Sequence, residues 1–75
     1  MDYKIKLRPS EVKDFVEAAS SSNCYIDASS DNHFIVDAKS ILGVLGLDLN
    51  KAIKVTVHGY DEHFESLIRK FSVAC

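Results

Sequence analysis

The stretch Asp37-Ala38-Lys39-Ser40-Ile41-Leu42-Gly43-Val44-Leu45-Gly46-Leu47-Asp48-Leu49 decides how the chain is read, because it is too apolar for its length. A helix from about Ser40 to Leu47 has roughly two turns and one face to bury. At about 100° per residue, however, Ile41, Leu42, Val44, Leu45, Leu47 and Leu49 point around most of its circumference. Some of these side chains must face water, and an exposed apolar cluster beside a serine at a helix start is a candidate docking surface. Ser40 is placed to cap the helix by accepting from an orphan backbone N–H. A phosphate on Ser40 would meet the positive end of the helix dipole and free N–H groups, so the serine is also a candidate phosphorylation site. Ile41, Leu42 and Leu45 form one edge of the helix and are the candidate partner-binding residues.

Before this stretch, Cys24-Tyr25-Ile26-Asp27-Ala28 and His33-Phe34-Ile35-Val36-Asp37 alternate as two strands. The turn-forming Ser29-Ser30-Asp31-Asn32 between them makes a hairpin. After it, Ile53, Val55 and Val57 alternate with Lys54, Thr56 and His58 as a further strand, which Gly59 breaks. At the start of the chain Tyr3, Ile5 and Leu7 alternate with Lys4, Lys6 and Arg8, and Pro9 stops that strand. Pro9-Ser10-Glu11 reads as a helix start, and Val12, Phe15, Val16 and Ala19 carry its apolar stripe to about Ala19 or Ser21, where Ser20-Ser21-Ser22-Asn23 ends it. A last helix begins near Asp61, with Phe64, Leu67, Ile68 and Phe71 on one face and Glu65 paired with Arg69 on the other.

The order βαββαβα predicts one domain over residues 1–75, of the α+β class. The architecture expected is an open-faced sandwich, with a four-stranded antiparallel sheet covered on one side by helices. Lys4, Lys6, Lys54 and Thr56 mark the wet face, and Tyr3 and Tyr25 are read in register with buried neighbours. With 47% hydrophobic and 27% charged residues the chain has the composition of an ordinary globular protein. No apolar run approaches a membrane span of roughly 20 residues. The alternating start lacks a signal peptide's apolar core, which places the protein in the cytoplasm.

A net charge of −2 gives no long-range pull toward nucleic acid. Residues 1–13 nevertheless hold four cations, Lys4, Lys6, Arg8 and Lys13, against Asp2 and Glu11. Lys6 and Arg8 near the first helix are candidates to hold an anion from a partner. Cys24 reads as a small core side chain, and Cys75 is the last residue. His33, His58 and His63 match no zinc spacing, so no metal and no cofactor is expected. No phosphate loop and no nucleophile–base order of a catalytic triad is found.

These residues resemble a known family. Lys39-Ser40-Ile41-Leu42-Gly43-Val44-Leu45-Gly46-Leu47, lying between a hairpin and a fourth strand, is similar to the regulatory-serine segment of HPr, the histidine-containing phosphocarrier of the bacterial sugar phosphotransferase system. The resemblance spans nearly the whole chain and implies an HPr-like open-faced sandwich. It also implies a site: in that family a histidine at the start of the first helix takes phosphate from enzyme I and passes it to a sugar-specific enzyme IIA. That histidine is followed by a small residue, arginine and proline. Leu7-Arg8-Pro9 matches the tail of this motif, and Lys6 stands at the acceptor position. A lysine amine with an ordinary pKa of about 10.4 is protonated at pH 7 and has no lone pair to take a phosphoryl group.

The expectation is therefore a protein that is not an enzyme and performs no histidine phosphotransfer. It would act as a regulator or adaptor of the phosphotransferase system through the Ser40 helix. The resemblance matches Ser40 to a serine modified by an ATP-dependent kinase, and Ile41, Leu42 and Leu45 to apolar contact residues, with Arg8 beside them. Similar histidine-less relatives act as corepressors of a catabolite-control transcription factor. The partners implied are an enzyme I-like protein, a serine kinase or a transcription regulator, with neither nucleic acid nor membrane. Two other readings stay open. One is an active phosphocarrier with a non-standard acceptor, His63 lying beside Arg8. The other is a ferredoxin-like ligand- or RNA-binding module, which needs aromatic side chains on the open sheet face.

Overall fold

Strand β4 (Ile53–His58) is the hinge of the architecture, because both the first and the second strand pair with it. The computed structural model describes residues 1–30 and 34–73. In chain order it has β1 (Asp2–Lys6), a 3-10 turn (Pro9–Glu11), α1 (Val12–Ser20), β2 (Tyr25–Ser29), β3 (Ile35–Asp37), α2 (Ile41–Leu45), β4, α3 (Glu62–Ile68) and a two-residue β5 (Ser72–Val73). The sheet order is β3-β2-β4-β1-β5, with every neighbouring pair antiparallel. The four expected strands and three helices are present, and the short β5 is an addition on the β1 edge that apolar alternation did not mark. His33 and Cys75 lie outside the described residues.

The helices form where their stripes and caps predict. In α1 the buried residues are Val12, Phe15, Val16 and Ala19, the i, i+3, i+4, i+7 set of one helical face. Asp61 has an extended backbone and its carboxylate accepts from the Phe64 N–H at 3.0 Å, which starts α3. Phe64 and Ile68 of α3, Val44 of α2 and the α1 stripe pack on Ile5, Ile26, Ala28, Ile53, Val55 and Val57 of the sheet. Phe15 meets Phe71 edge to face with centroids 5.7 Å apart, the arrangement that ring quadrupoles favour.

Register corrects one side-chain assignment. Ala28 faces Val55 and Ile26 faces Val57 across the β2–β4 ladder, so these are the core positions and Tyr25 and Asp27 turn to the open face. Tyr25 is 82% exposed opposite His58 rather than buried, because its parity follows Asp27 and not Ile26. Asp2, Thr56, Asp27 and Asp37 form one cross-strand row on that open face, and Lys4 and Lys54 stand directly opposite each other in the next.

Gly59, just after β4, has φ +137°, and a Cβ there would stand 2.9 Å from Cys24 Sγ. Gly59→Ala should lower unfolding free energy by about 1–3 kcal/mol through strain and overlap. Gly46→Ala, on helical backbone with ordinary clearances, should stay within about 1 kcal/mol of the parent. Urea unfolding of the two variants checks the contrast.

Candidate docking and phosphorylation site

Helix α2 has only five residues, and what holds it in place is short-range. Ser40 has extended backbone (φ −104°, ψ 114°) and its Oγ accepts from the Gly43 N–H at 3.1 Å, while its carbonyl accepts from Val44 N–H at 3.0 Å. The expected helix of Ser40 to Leu47 is thus Ile41–Leu45 with Ser40 as its cap. Val44 is the one buried residue of the helix. Relative to Val44, Leu42 lies roughly 160–200° around the axis, whereas Ile41 and Leu45 lie to one side at roughly 60–100°. Exposure follows that geometry, at 82% for Leu42, 46% for Ile41 and 48% for Leu45. On the other flank Gly43 lets the helix approach β3, since a Cβ there would sit 3.2 Å from the Val36 Cβ and 3.3 Å from Ser40 Oγ.

Lys6 and Arg8 lie where β1 hands over to the 3-10 turn. Lys6 Nζ donates to the Asn50 carbonyl at 2.6 Å, tying β1 to the loop that follows α2. The Arg8 N–H donates to Glu11 Oε1 at 2.9 Å, and the exposed guanidinium lies 3.8 Å from the same oxygen. A shallow groove of about 550 Å³ is lined by Lys6, Arg8 and Pro9 on one side and Leu45, Leu47 and Leu49 on the other. The fold therefore brings Lys6 and Arg8 to the same depression as Leu45, although the residues are far apart in sequence. Ser40, Ile41 and Leu42 lie outside that groove lining.

The two described histidines sit elsewhere. Lys6 is at the end of the sheet where Ile5 pairs with Ile53, and His58 is at the other end of β4, opposite Tyr25. His58 Nε2 lies 2.6 Å from Asp27 Oδ2 on the open face. His63 is exposed in the first turn of α3, and the chain just before that helix lies beyond the C-terminal end of α1, where Cys24 Sγ donates to the Tyr60 carbonyl at 3.9 Å. Arg8 precedes the opposite end of α1, which is roughly 13 Å long. The expected approach of His63 to Arg8 is not realised. Among the described residues no group of three or more potential ligands could hold a metal ion, and no helix is long and apolar enough to cross a membrane.

Ser22 is a residue that sequence reasoning missed, having been read only as part of a helix-ending serine run. It is buried. Its Oγ accepts from the Cys24 N–H at 3.1 Å, its carbonyl accepts from Lys39 Nζ at 2.8 Å, and its own N–H donates to the Ala19 carbonyl. The hydrogen bond from the Ser22 side chain, followed by that from the Phe64 N–H, holds the Asp61 carboxyl below the ordinary carboxylate range.

Comparison with known proteins places this geometry in a family. The family model described as PTS HPr component phosphorylation site matches residues 4–72, and the chain belongs to the HPr family of the phosphotransferase system, whose members are phosphocarriers. The chain is similar to a crystal structure of the phosphocarrier protein HPr from Bacillus anthracis str. Ames, with 27% identity and a TM-score of 0.72 over 96% of this chain and 94% of that one. It is also similar to HPr-C-His from Thermoanaerobacter tengcongensis, with 27% identity and a TM-score of 0.68 over 93% and 90% of the two chains. No curated protein sequence matches it.

Two outcomes follow from the caps. Ser40→Ala should cost about 1 kcal/mol in urea unfolding, while Ser40→Asp, which keeps an acceptor for the Gly43 N–H, should cost less. Asp61 has a depressed folded-state pKa, so its stabilisation is full at neutral pH and is lost as pH falls below about 4, through the folded value. Asp61→Asn should flatten that part of the stability–pH curve measured by thermal unfolding.

Proposed function

We propose that this HPr-family chain is a single-domain regulator or adaptor rather than a histidine phosphocarrier, with α2 as its docking element and Ser40 as its switch. The observation that carries the reading is the exposed edge of Ile41, Leu42 and Leu45 beside a serine that already caps the helix. In the groove stands Lys6, the residue that the family resemblance matches to the phosphoacceptor, and its Nζ donates to the Asn50 carbonyl. Nucleophilic attack on a phosphoryl group needs a free lone pair, and a lysine ammonium has none. His58 and His63 stand at the far ends of β4 and α1 from Lys6 and Arg8, which argues against a substitute acceptor using that arginine.

Family membership supports protein partners of the phosphotransferase system, an enzyme I-like protein among them. The switch supports a serine kinase, and the adaptor role a transcription regulator. Leu42, Ile41 and Leu45 would supply apolar contact and Arg8 a charged one. No cofactor enters this role, and the cytoplasm is where the family's partners would meet it. Exposed Tyr25 and the Lys4–Lys54 pair on the same open face favour a second reading, an RNA-binding open face, but Tyr25 stands at the other end of β4 from Lys54 and the carboxylate row of Asp2, Asp27 and Asp37 between them repels phosphate.

Incubation with enzyme I and phosphoenolpyruvate should leave the chain without acid-labile phosphate, and an acid-labile phosphoprotein would overturn the non-transfer half. A Leu42→Glu, Leu45→Glu variant should lose a partner that the parent chain captures from its source cell; an unchanged set of captured proteins would remove the docking role. Binding of homopolymer RNA at physiological salt would promote the second reading.

A further inference from the structure

A second groove, of about 440 Å³, runs between α1 and the C-terminal end of α3 and shares no lining residue with the groove beside α2. Its floor is apolar. By spacing Leu67 belongs with Phe64, Ile68 and Phe71, yet those three are buried while Leu67 stays half-buried in the groove, next to Phe71 and Ala18. Asp14 and Glu17, both exposed, line the α1 side, and Lys70 stands on the α3 side. Glu11, at the start of the α1 side, is already held by Arg8. Among the described residues no ion pair reaches Asp14, Glu17 or Lys70.

These carboxylates are not explained by the stability of α1. Asp14 suits the first turn, but Glu17 lies in the last turn, which has no basic residue and where the helix dipole disfavours negative charge. The two also stand at i and i+3, the spacing at which like charges on a helix repel each other. A cation from outside the chain would relieve both effects, and an apolar side chain beside it would cover Leu67. We propose that the groove between α1 and α3 docks a basic amphipathic helix of a partner protein, whose apolar side chain covers Leu67 and Phe71 while its lysine or arginine side chains meet Asp14 and Glu17. Charge complementarity selects this occupant, since nucleic acid, an anionic membrane or an acidic helix is repelled by the same pair. Lys70 sets the orientation, because it repels cations from the α3 side and leaves them the α1 side alone. The surface is separate from α2 and does not depend on Ser40.

The probe is a synthetic helical peptide with leucine along one face and lysine along the other, titrated into the full chain and followed by backbone amide spectra. Amides of Asp14, Glu17, Ala18, Leu67 and Phe71 should shift together, and the affinity should fall as salt is raised. The same peptide with glutamate in place of lysine should leave the spectrum unchanged, and polylysine, which has no apolar face, should bind about tenfold more weakly or worse. Asp14→Lys with Glu17→Lys, at exposed positions, should weaken the leucine–lysine peptide about tenfold, and Leu67→Ala should weaken it while leaving the salt dependence as it was. A silent spectrum overturns the proposal, as do shifts centred on α2 or on the open-face carboxylates Asp2, Asp27 and Asp37. Equal binding of the glutamate peptide, or polylysine as tight as the amphipathic probe, overturns it too. If the charge reversal does not fold, Asp14→Asn with Glu17→Gln takes its place, a several-fold loss of affinity upholding the groove and an undiminished affinity overturning it.

Discussion

Burial of Val44 is the contact on which helix α2 depends. A five-residue helix cannot satisfy itself, since nucleation leaves it short of hydrogen bonds and propensity adds little over one turn. It persists because one side chain enters the core, one glycine allows the backbone to lie against Val36, and one serine caps the start. Everything else on the helix is left outward by that economy of contact. The exposure of Leu42 is the geometrical remainder of Val44 pointing in.

Two ends of the molecule have accordingly different characters. At the groove, Lys6 and Arg8 on the β1 end share a depression with Leu45, Asp48 and the apolar side chains of Leu47 and Leu49. At the opposite end of the sheet, His58 is committed to Asp27, and the start of α3 is capped by Asp61. The chain keeps the family's fold, and at the groove Lys6 anchors a loop through the Asn50 carbonyl. Fold and chemistry are separable here because the core residues that define the sandwich do not include Lys6 or Arg8.

Most of the architecture was legible in local patterns. The α1 stripe of Val12, Phe15, Val16 and Ala19, the Asp61 and Ser40 caps and the alternation of Ile53, Val55 and Val57 all rest on interactions within a few residues, which periodicity reports directly. What was not legible depends on pairing between distant segments. The outward turn of Tyr25 follows from which residues of β2 meet Val55 and Val57, the β5 pairing follows from where the chain returns to β1, and the burial of Ser22 follows from Lys39 and Asp61 arriving beside it. A serine among serines carries no sign of such partners. The groove is of the same kind, since no local pattern connects Arg8 with Leu45.

The central place of β4 also governs how this protein comes into being. Neither β1 nor β2 has the other as a neighbour, so β1, with Asp2 opposite Thr56, waits for a partner synthesised after α2. Only the β2–β3 hairpin can close early, and a lone two-stranded ribbon is marginal in water. Loop closure over such separations is entropically expensive and slows assembly. On the ribosome, β1 and α1 therefore emerge with their apolar faces uncovered until β4 has been made and can take its place between β1 and β2.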